Sequence, residues 1–130
     1  MSQEDKIDTV KRVLVEEAQS DVVGLWAVLW QVKTELPSLT TEEAKVATLE
    51  VVRDALSREE VIVGEFREEG GETISFVPWQ MSVTDAVRRI GAEWGVLGRD
   101  PSLGEIAWFV APRLLPLAMN RDPMTNGRKP

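Results

Sequence analysis

The chain has 130 residues and a formal net charge of −7, and it contains no histidine and no cysteine. Those two absences exclude disulfide bonds, thiolate chemistry, cysteine or histidine metal sites and histidine acid–base catalysis. Hydrophobic side chains make up 43% of the sequence, which is enough for one domain with its own core.

Compartment and membrane association follow from the same composition. The polar start of the chain lacks the order of a signal peptide, and a chain without cysteine is typical of a reducing compartment, so we expect a cytoplasmic protein. The longest apolar stretch, residues 22–30, is far shorter than the roughly 20 residues that a membrane span needs. We therefore expect no membrane partner.

The first two predicted helices differ in how their apolar residues are distributed. Residues 4–19 carry one apolar stripe at helical spacing, which indicates a helix with a single face against the core. Residues 21–36 are apolar on every side of the first turns, and Pro37 ends the pattern. We therefore expect the second helix to be the central helix of the core, with Ser20 and Asp21 ending the first helix and capping the second.

A third helix and a β-hairpin follow. Thr40 and Glu43 have the spacing of a capping box, which predicts a helix that runs to about Arg58. Residues 61–67 and 72–77 are rich in β-branched and aromatic side chains, and the glycine-containing turn between them predicts a hairpin. The alternation places four apolar side chains on one side that should face the core: Ile62, Phe66, Ile74 and Phe76.

The remaining elements complete the predicted domain. Ser82 caps a fourth amphipathic helix that Gly98 can end, and residues 106–111 are interpreted as a short strand that pairs with the hairpin. A helix over 106–111 is the competing interpretation, because periodicity cannot separate the two at this length. Three prolines and no periodicity predict a mobile basic tail over residues 116–130, outside a single domain of residues 1–115.

The predicted fold class is α+β, with three N-terminal helices, a β-hairpin, a fourth helix and a closing strand. The hairpin and the closing strand form a small antiparallel sheet packed on the helices. The order helix, helix, helix, hairpin resembles a winged-helix domain over about the first 77 residues. In that resemblance, residues 21–36 and 41–58 form the helix-turn-helix and residues 61–77 form the wing.

The resemblance implies DNA binding, but the charges oppose it. The second helix of the pair would read DNA, yet it carries Glu42, Glu43 and Glu50, and the wing tip carries Glu68. A DNA reader needs lysine and arginine at those places to neutralise phosphates, so we do not expect nucleic acid as a partner of this face. The alternative is a nucleic-acid-linked regulator whose basic tail contacts phosphate through Arg113, Arg121, Arg128 and Lys129.

Catalysis is not expected, because carboxylates are the only acid–base groups in supply. They occur as adjacent pairs such as Glu16 with Glu17, and neighbours on a helix point about 100° apart, so a pair of this kind is not a catalytic dyad. No calcium loop and no phosphate-binding loop is present in the sequence. We therefore expect no enzyme activity, no cofactor and no metal site.

The expected function is that of a non-catalytic acidic protein-binding module, of the inhibitor or immunity type, for a basic partner, with self-association as a further option. Negative charge speeds the encounter with a basic protein. We expect Trp26, Trp30 and Trp94 in the core, which leaves Trp79, and less surely Trp108, as an interface anchor. The candidate partner-binding residues are Glu65, Glu68, Glu69, Glu72 and Trp79.

Overall fold

The structure is a computed structural model that describes residues 2–69 and 73–116. Within those residues it is an α+β fold, as predicted. The helices are α1 (Gln3–Ala18), α2 (Leu25–Glu35), α3 (Thr41–Ser57) and α4 (Val83–Leu97). The strands are β1 (Val23–Gly24), β2 (Ile62–Glu69), β3 (Thr73–Pro78) and β4 (Trp108–Val110). No helix in the described part of the chain is long and apolar enough to cross a membrane.

Two of the sequence predictions fall on residues that are not described. The two glycines of the predicted hairpin turn and Glu72 after them lie outside the described residues, and so do residues 117–130, which make up nearly all of the predicted tail. The side chain of Glu69 is also outside the description, although its backbone ends β2.

The helix termini follow the local signals in the sequence. The Thr40 hydroxyl accepts the Glu43 backbone N–H at 3.1 Å, and the Glu43 carboxylate accepts the Thr40 N–H at 2.8 Å, so the predicted capping box is confirmed. Ser82 caps α4 in the predicted way, and Gly98 ends it with φ of 73°. Glycine suits that position because it has no Cβ, and the left-handed backbone conformation therefore causes no steric clash.

The main departure from the prediction is at the start of α2. Val23 and Gly24 form β1, so the helix begins at Leu25, with Gly24 as its N-cap, and not at residue 21. The predicted cap at Ser20 and Asp21 is wrong. Pairing with β4 satisfies the backbone of these residues in the extended form, and helical periodicity in an apolar run gives no sign of that partner.

The sheet has the strand order β1–β4–β2–β3, and all of its pairs are antiparallel. The prediction that the last strand pairs with the hairpin is confirmed, because β4 pairs with β2. It does not close the sheet at an edge, since β1 lies on its other side. The strand is shorter than residues 106–111, because Ile106 has φ of 73° and cannot extend it.

The two faces of the sheet carry different apolar clusters. Val63 and Phe109 belong to the main core that the four helices build. Phe76 and Val110 are buried in a second cluster on the opposite face, with Leu114 and Leu115 packed against it after β4. Ile62 and Phe66 join this second cluster. The predicted apolar side of the hairpin therefore exists, but it does not face the helices.

Gly64 permits the aromatic packing of the second cluster. A methyl group on Gly64 would lie 2.7 Å from Cζ of Phe76 and 2.5 Å from the carbonyl oxygen of Val77. Both are closer than packed carbon atoms tolerate. Phe66 meets the rings of Phe76 and Trp108 edge to face, at centroid distances of 5.5 and 5.4 Å. The missing side chain at Gly64 leaves room for these rings.

The glycine positions generate a stability prediction. Gly64→Ala should lower the free energy of unfolding by about 1–3 kcal/mol, because the added methyl group overpacks the sheet. Gly95→Ala is the matched control: Gly95 lies in α4 and an added Cβ meets nothing within 4 Å. It should raise stability by about 0.5 kcal/mol, since alanine has less conformational freedom to lose than glycine. Urea unfolding measures both, and an equal response of the two variants would contradict the packing described for Gly64.

Candidate binding groove

Two of the predicted site residues lie together in an ionic cluster between β2 and α4. The Glu65 carboxylate accepts hydrogen bonds from Trp79 Nε1 at 2.8 Å, Arg89 Nη2 at 2.9 Å and Arg67 Nε at 2.9 Å. The guanidinium of Arg89 also stacks on the Trp79 ring, 3.8 Å from its centroid, and donates to Glu93 at 2.7 Å. The cluster ties the hairpin to the helix.

The ion pairs and hydrogen bonds of this cluster favour the charged forms of Glu65 and Arg89. Hydrogen bonds, above all that from Arg67, lower the pKa of Glu65 despite the opposing effect of burial. The hydrogen bond to Glu93 raises the pKa of Arg89. Glu65 and Trp79 thus have internal partners. Glu68 is exposed on β2 outside the cluster, while the Glu69 side chain and Glu72 lie beyond the described residues.

The tryptophans are distributed differently from the prediction. Trp94 is 4% exposed and belongs to the core as predicted, but Trp30 is 60% exposed, so its assignment to the core is wrong. Trp26 is only half-buried and lines a groove. The reason is that the buried residues of α2, namely Leu25, Val28, Leu29 and Val32, all lie on one face. The neighbours of the helix cover that face and leave the indoles of Trp26 and Trp30 outside it.

The groove has a volume of about 490 Å³ and lies where β1, the start of α2 and β4 meet. The indoles of Trp26 and Trp108 both lie close to Gly24: a methyl group there would be 2.8 Å from Cδ1 of Trp26 and 3.5 Å from Cζ3 of Trp108. Val22, Ala27 and the exposed Leu103 complete its apolar surface. The missing side chain at Gly24 therefore leaves room for the Trp26 indole beside Trp108.

Carboxylates rim this groove. Glu16, Glu17 and Asp21 line it, and no lysine or arginine is among its lining residues within the part of the chain described. Arg12 lies 3.8 Å from the Glu16 carboxylate, but both side chains are mostly exposed, so that ion pair is weak. The mouth of the groove therefore has a negative potential next to an apolar, aromatic floor.

The indole N–H groups distinguish these tryptophans from Trp79. Trp79 donates its N–H to Glu65, whereas Trp26 and Trp108 donate theirs to no acceptor among the described residues. Neither donor is buried, so both are open to solvent or to a bound group. The edge-to-face contact with Phe66 fixes the Trp108 ring. The groove thus combines rigid apolar area with usable polar donors, as binding hot spots do.

Leu103, which lines the groove, lies in the segment of residues 99–106, which we name the Leu103 loop. Arg99 grips Glu105 through two hydrogen bonds of 2.8 Å, and the same carboxylate accepts the Ser102 N–H at 2.7 Å and hydroxyl at 2.9 Å. Asp100 accepts a hydrogen bond from Lys33 of α2 at 2.6 Å. These contacts fix both ends of the loop around Leu103.

The charged features that the sequence predicts on α3 and in the tail do not combine carboxylates with aromatic rings within the part of the chain described. Glu42, Glu43 and Glu50 of α3 line a smaller groove of about 290 Å³ beside α1, whose apolar lining contains no aromatic side chain among the described residues. Arg113, one of the cations predicted to contact phosphate, donates to the side chain and backbone of Gln19 at 2.7 and 2.8 Å. The other three tail cations lie outside the described residues. No group of three acidic side chains placed to hold a metal occurs in residues 2–69 and 73–116.

Comparison of the chain with protein-family models, with curated proteins and with solved structures gives no match.

The hydrogen bonds from Arg99 and Ser102 to Glu105, which we name the Glu105 clamp, generate a pH prediction. The hydrogen bond from Arg99 and those from Ser102 lower the pKa of Glu105 from 4.5 to about 2. A lowered carboxyl pKa means that the clamp stabilises the folded loop above about pH 4.5 and that this contribution is lost as the pH falls towards 2. A carboxyl-carbon NMR titration should give this low pKa, and Arg99→Gln should raise it towards its ordinary value.

Arg88→Gln is the matched control, because Arg88 pairs with Asp85 on α4 and makes no contact with the loop. In the Arg88→Gln variant, the pKa of Glu105 should be the same as in the unchanged protein. An unchanged pKa in Arg99→Gln would show that the clamp does not exist in solution.

Proposed function

We propose that this chain is a non-catalytic binding module that takes a basic segment of another protein in the groove between Trp26 and Trp108. One observation carries the proposal: an apolar, aromatic concave surface is bordered by carboxylates and, among its described lining residues, by no cation. Apolar clefts with a few polar groups at the edge are the usual form of binding sites. The chemistry of this edge selects for positive charge.

The energetics favour a segment with an apolar or aromatic side chain flanked by lysine or arginine. Covering about 100 Å² of apolar surface on the two indoles would contribute about 2.5 kcal/mol. A cation over an indole face adds about 0.5–1 kcal/mol at an exposed site. The carboxylates at the rim mainly accelerate the encounter and reject acidic partners.

The shifted pKa values in the described chain do not point to a catalytic group in the groove. The groups with shifted pKa values in the described chain, Glu65, Arg89, Arg99 and Glu105, are each explained by an ion pair. None of them lines the groove. A catalytic site would place such a group in the cleft, unpaired and within reach of a substrate.

An inhibitor or immunity-type role is the finer form of this proposal. The net charge of −7 would attract a basic protein such as a nuclease, and the groove would take one of its basic loops. Self-association through the groove is less favoured because two acidic rims would repel each other. A winged-helix regulator remains the alternative, and the carboxylates on α3 do not favour it.

The proposal is tested by selecting ligands from a random peptide library displayed on phage. Enriched peptides should combine lysine or arginine with leucine or an aromatic residue. One enriched peptide is then synthesised, and its binding is measured by the change in intrinsic tryptophan fluorescence. Affinity should fall as salt is raised, because part of the attraction is between exposed charges.

Matched variants locate the site. Trp26→Ala and Glu17→Lys should each weaken binding of the selected peptide by about tenfold or more, which corresponds to about 1.4 kcal/mol. Trp30→Ala and Glu68→Lys make the same changes at exposed positions outside the groove and should leave affinity within about twofold. Enrichment of peptides without basic residues, or equal losses in the controls, would refute the proposal.

A further inference from the structure

We propose that the Leu103 loop is a preorganised specificity element, which holds Leu103 as the wall against which the apolar side chain of a bound basic segment packs. This inference rests on the proposed function. It specifies a second property of the ligand besides positive charge: a side chain that is large and apolar enough to pack between Leu103 and the two indoles.

The exposure of Leu103 is the first observation. The side chain is 71% exposed although it is large and apolar, and it lines the same groove as Trp26 and Trp108. A single exposed leucine is ordinary, but contiguous apolar side chains at a concave surface mark interaction sites. Most of the Leu103 surface is therefore available to a ligand.

The bracing of the loop is the second observation. The Glu105 carboxylate takes four hydrogen bonds from Arg99 and Ser102, all within the loop. The short contact between Lys33 and Asp100 ties the loop to α2, which also carries Trp26, and Pro101 between the two anchors is buried. The Arg99–Glu105 contact is bidentate, the geometry in which a partly exposed ion pair can still hold a chain segment. The effect of these contacts is to fix the distance between Leu103 and the aromatic wall.

The backbone of the loop is the third observation. Gly104 has φ of 81° and Ile106 has φ of 73°. Glycine adopts this conformation freely, but a β-branched residue in the left-handed region is strained and persists only where its surroundings hold it. Ile106 packs against the main core, which supplies that restraint. The strained turn directs the chain from the loop into β4, two residues before Trp108.

These observations together define a rigid pocket wall. An element held before binding loses little conformational freedom when the ligand arrives, so its contacts contribute more fully to affinity. It also cannot adapt to a small or a charged side chain. We therefore expect the groove to prefer leucine, methionine or an aromatic residue next to the basic residues of its ligand.

A double-mutant cycle tests the contact, with the peptide selected from the library as the probe. Leu103→Ala should weaken binding by about fivefold or more. Val96→Ala, the control, removes an apolar side chain that is 89% exposed on α4 and does not line the groove, and it should have no effect. Replacing the apolar residue of the peptide by alanine should abolish the difference between Leu103→Ala and the unchanged protein.

The outcomes separate the two proposals. If Leu103→Ala binds as well as the unchanged protein while Trp26→Ala does not, the inference about the loop is wrong and the proposed function stands. If Trp26→Ala also binds normally, or if no basic peptide is enriched, both proposals fail.

A second measurement needs no ligand. Backbone ¹⁵N relaxation should give the Leu103 amide an order parameter of about 0.8, close to that of rigid backbone, and Glu105→Ala should lower it towards the values of flexible loops. The Gly95→Ala variant serves as the control, because a Cβ added at Gly95 would meet nothing within 4 Å. A Leu103 amide that is already flexible in the unchanged protein would overturn the preorganisation.

Discussion

The insertion of β4 between β1 and β2 is the constraint on which the rest of the structure depends. Trp108 of β4 is paired with Gly24 on one side and with Gly64 on the other, so its indole has no side chain opposite it on either neighbouring strand. The two glycines have the same consequence for different rings: Gly24 admits Trp26 and Gly64 admits Phe76. This arrangement fixes where α2 begins, and it also creates the groove.

Elements with local signals were predictable from the sequence, and the element without them was not. Caps and periodicity specify α3 and α4, and branched residues around a glycine turn specify the hairpin. By contrast, β1 has two residues and exists only through pairing with Phe109 and Trp108, more than eighty residues later. An apolar run continuous with a helix gives no indication of such a partner. The start of α2 was therefore misplaced by four residues.

The candidate site was missed for the same reason. An apolar helix of uncertain start does not reveal which of its sides the neighbours will cover, so the sequence pattern predicts Trp26 and Trp30 in the core. The available signal was Gly24, since a glycine inside an apolar run often marks a close approach of other groups. The prediction of Trp79 as an interface anchor misses a contact between elements distant in sequence. Its partner Glu65 is held by Arg89 across the interface between sheet and helix, which no local pattern shows.

The negative charge that a partner meets depends on which carboxylates are paired within the chain. Glu65 and Glu105 each accept hydrogen bonds from arginine, so these acidic groups add little to the field that a partner meets at a distance. Glu17 has no ion pair in the described chain and lines the same groove as Trp26 and Trp108. The basic partner that we propose would be attracted by the whole acidic body, but its apolar side chains would find indole surface beside a carboxylate without an ion pair only where the two occur together. Between Glu17 and Glu65 in the described chain, that coincidence holds for Glu17 at the groove and not for Glu65 at the hairpin, which moves the proposed interface from Trp79 to Trp26 and Trp108.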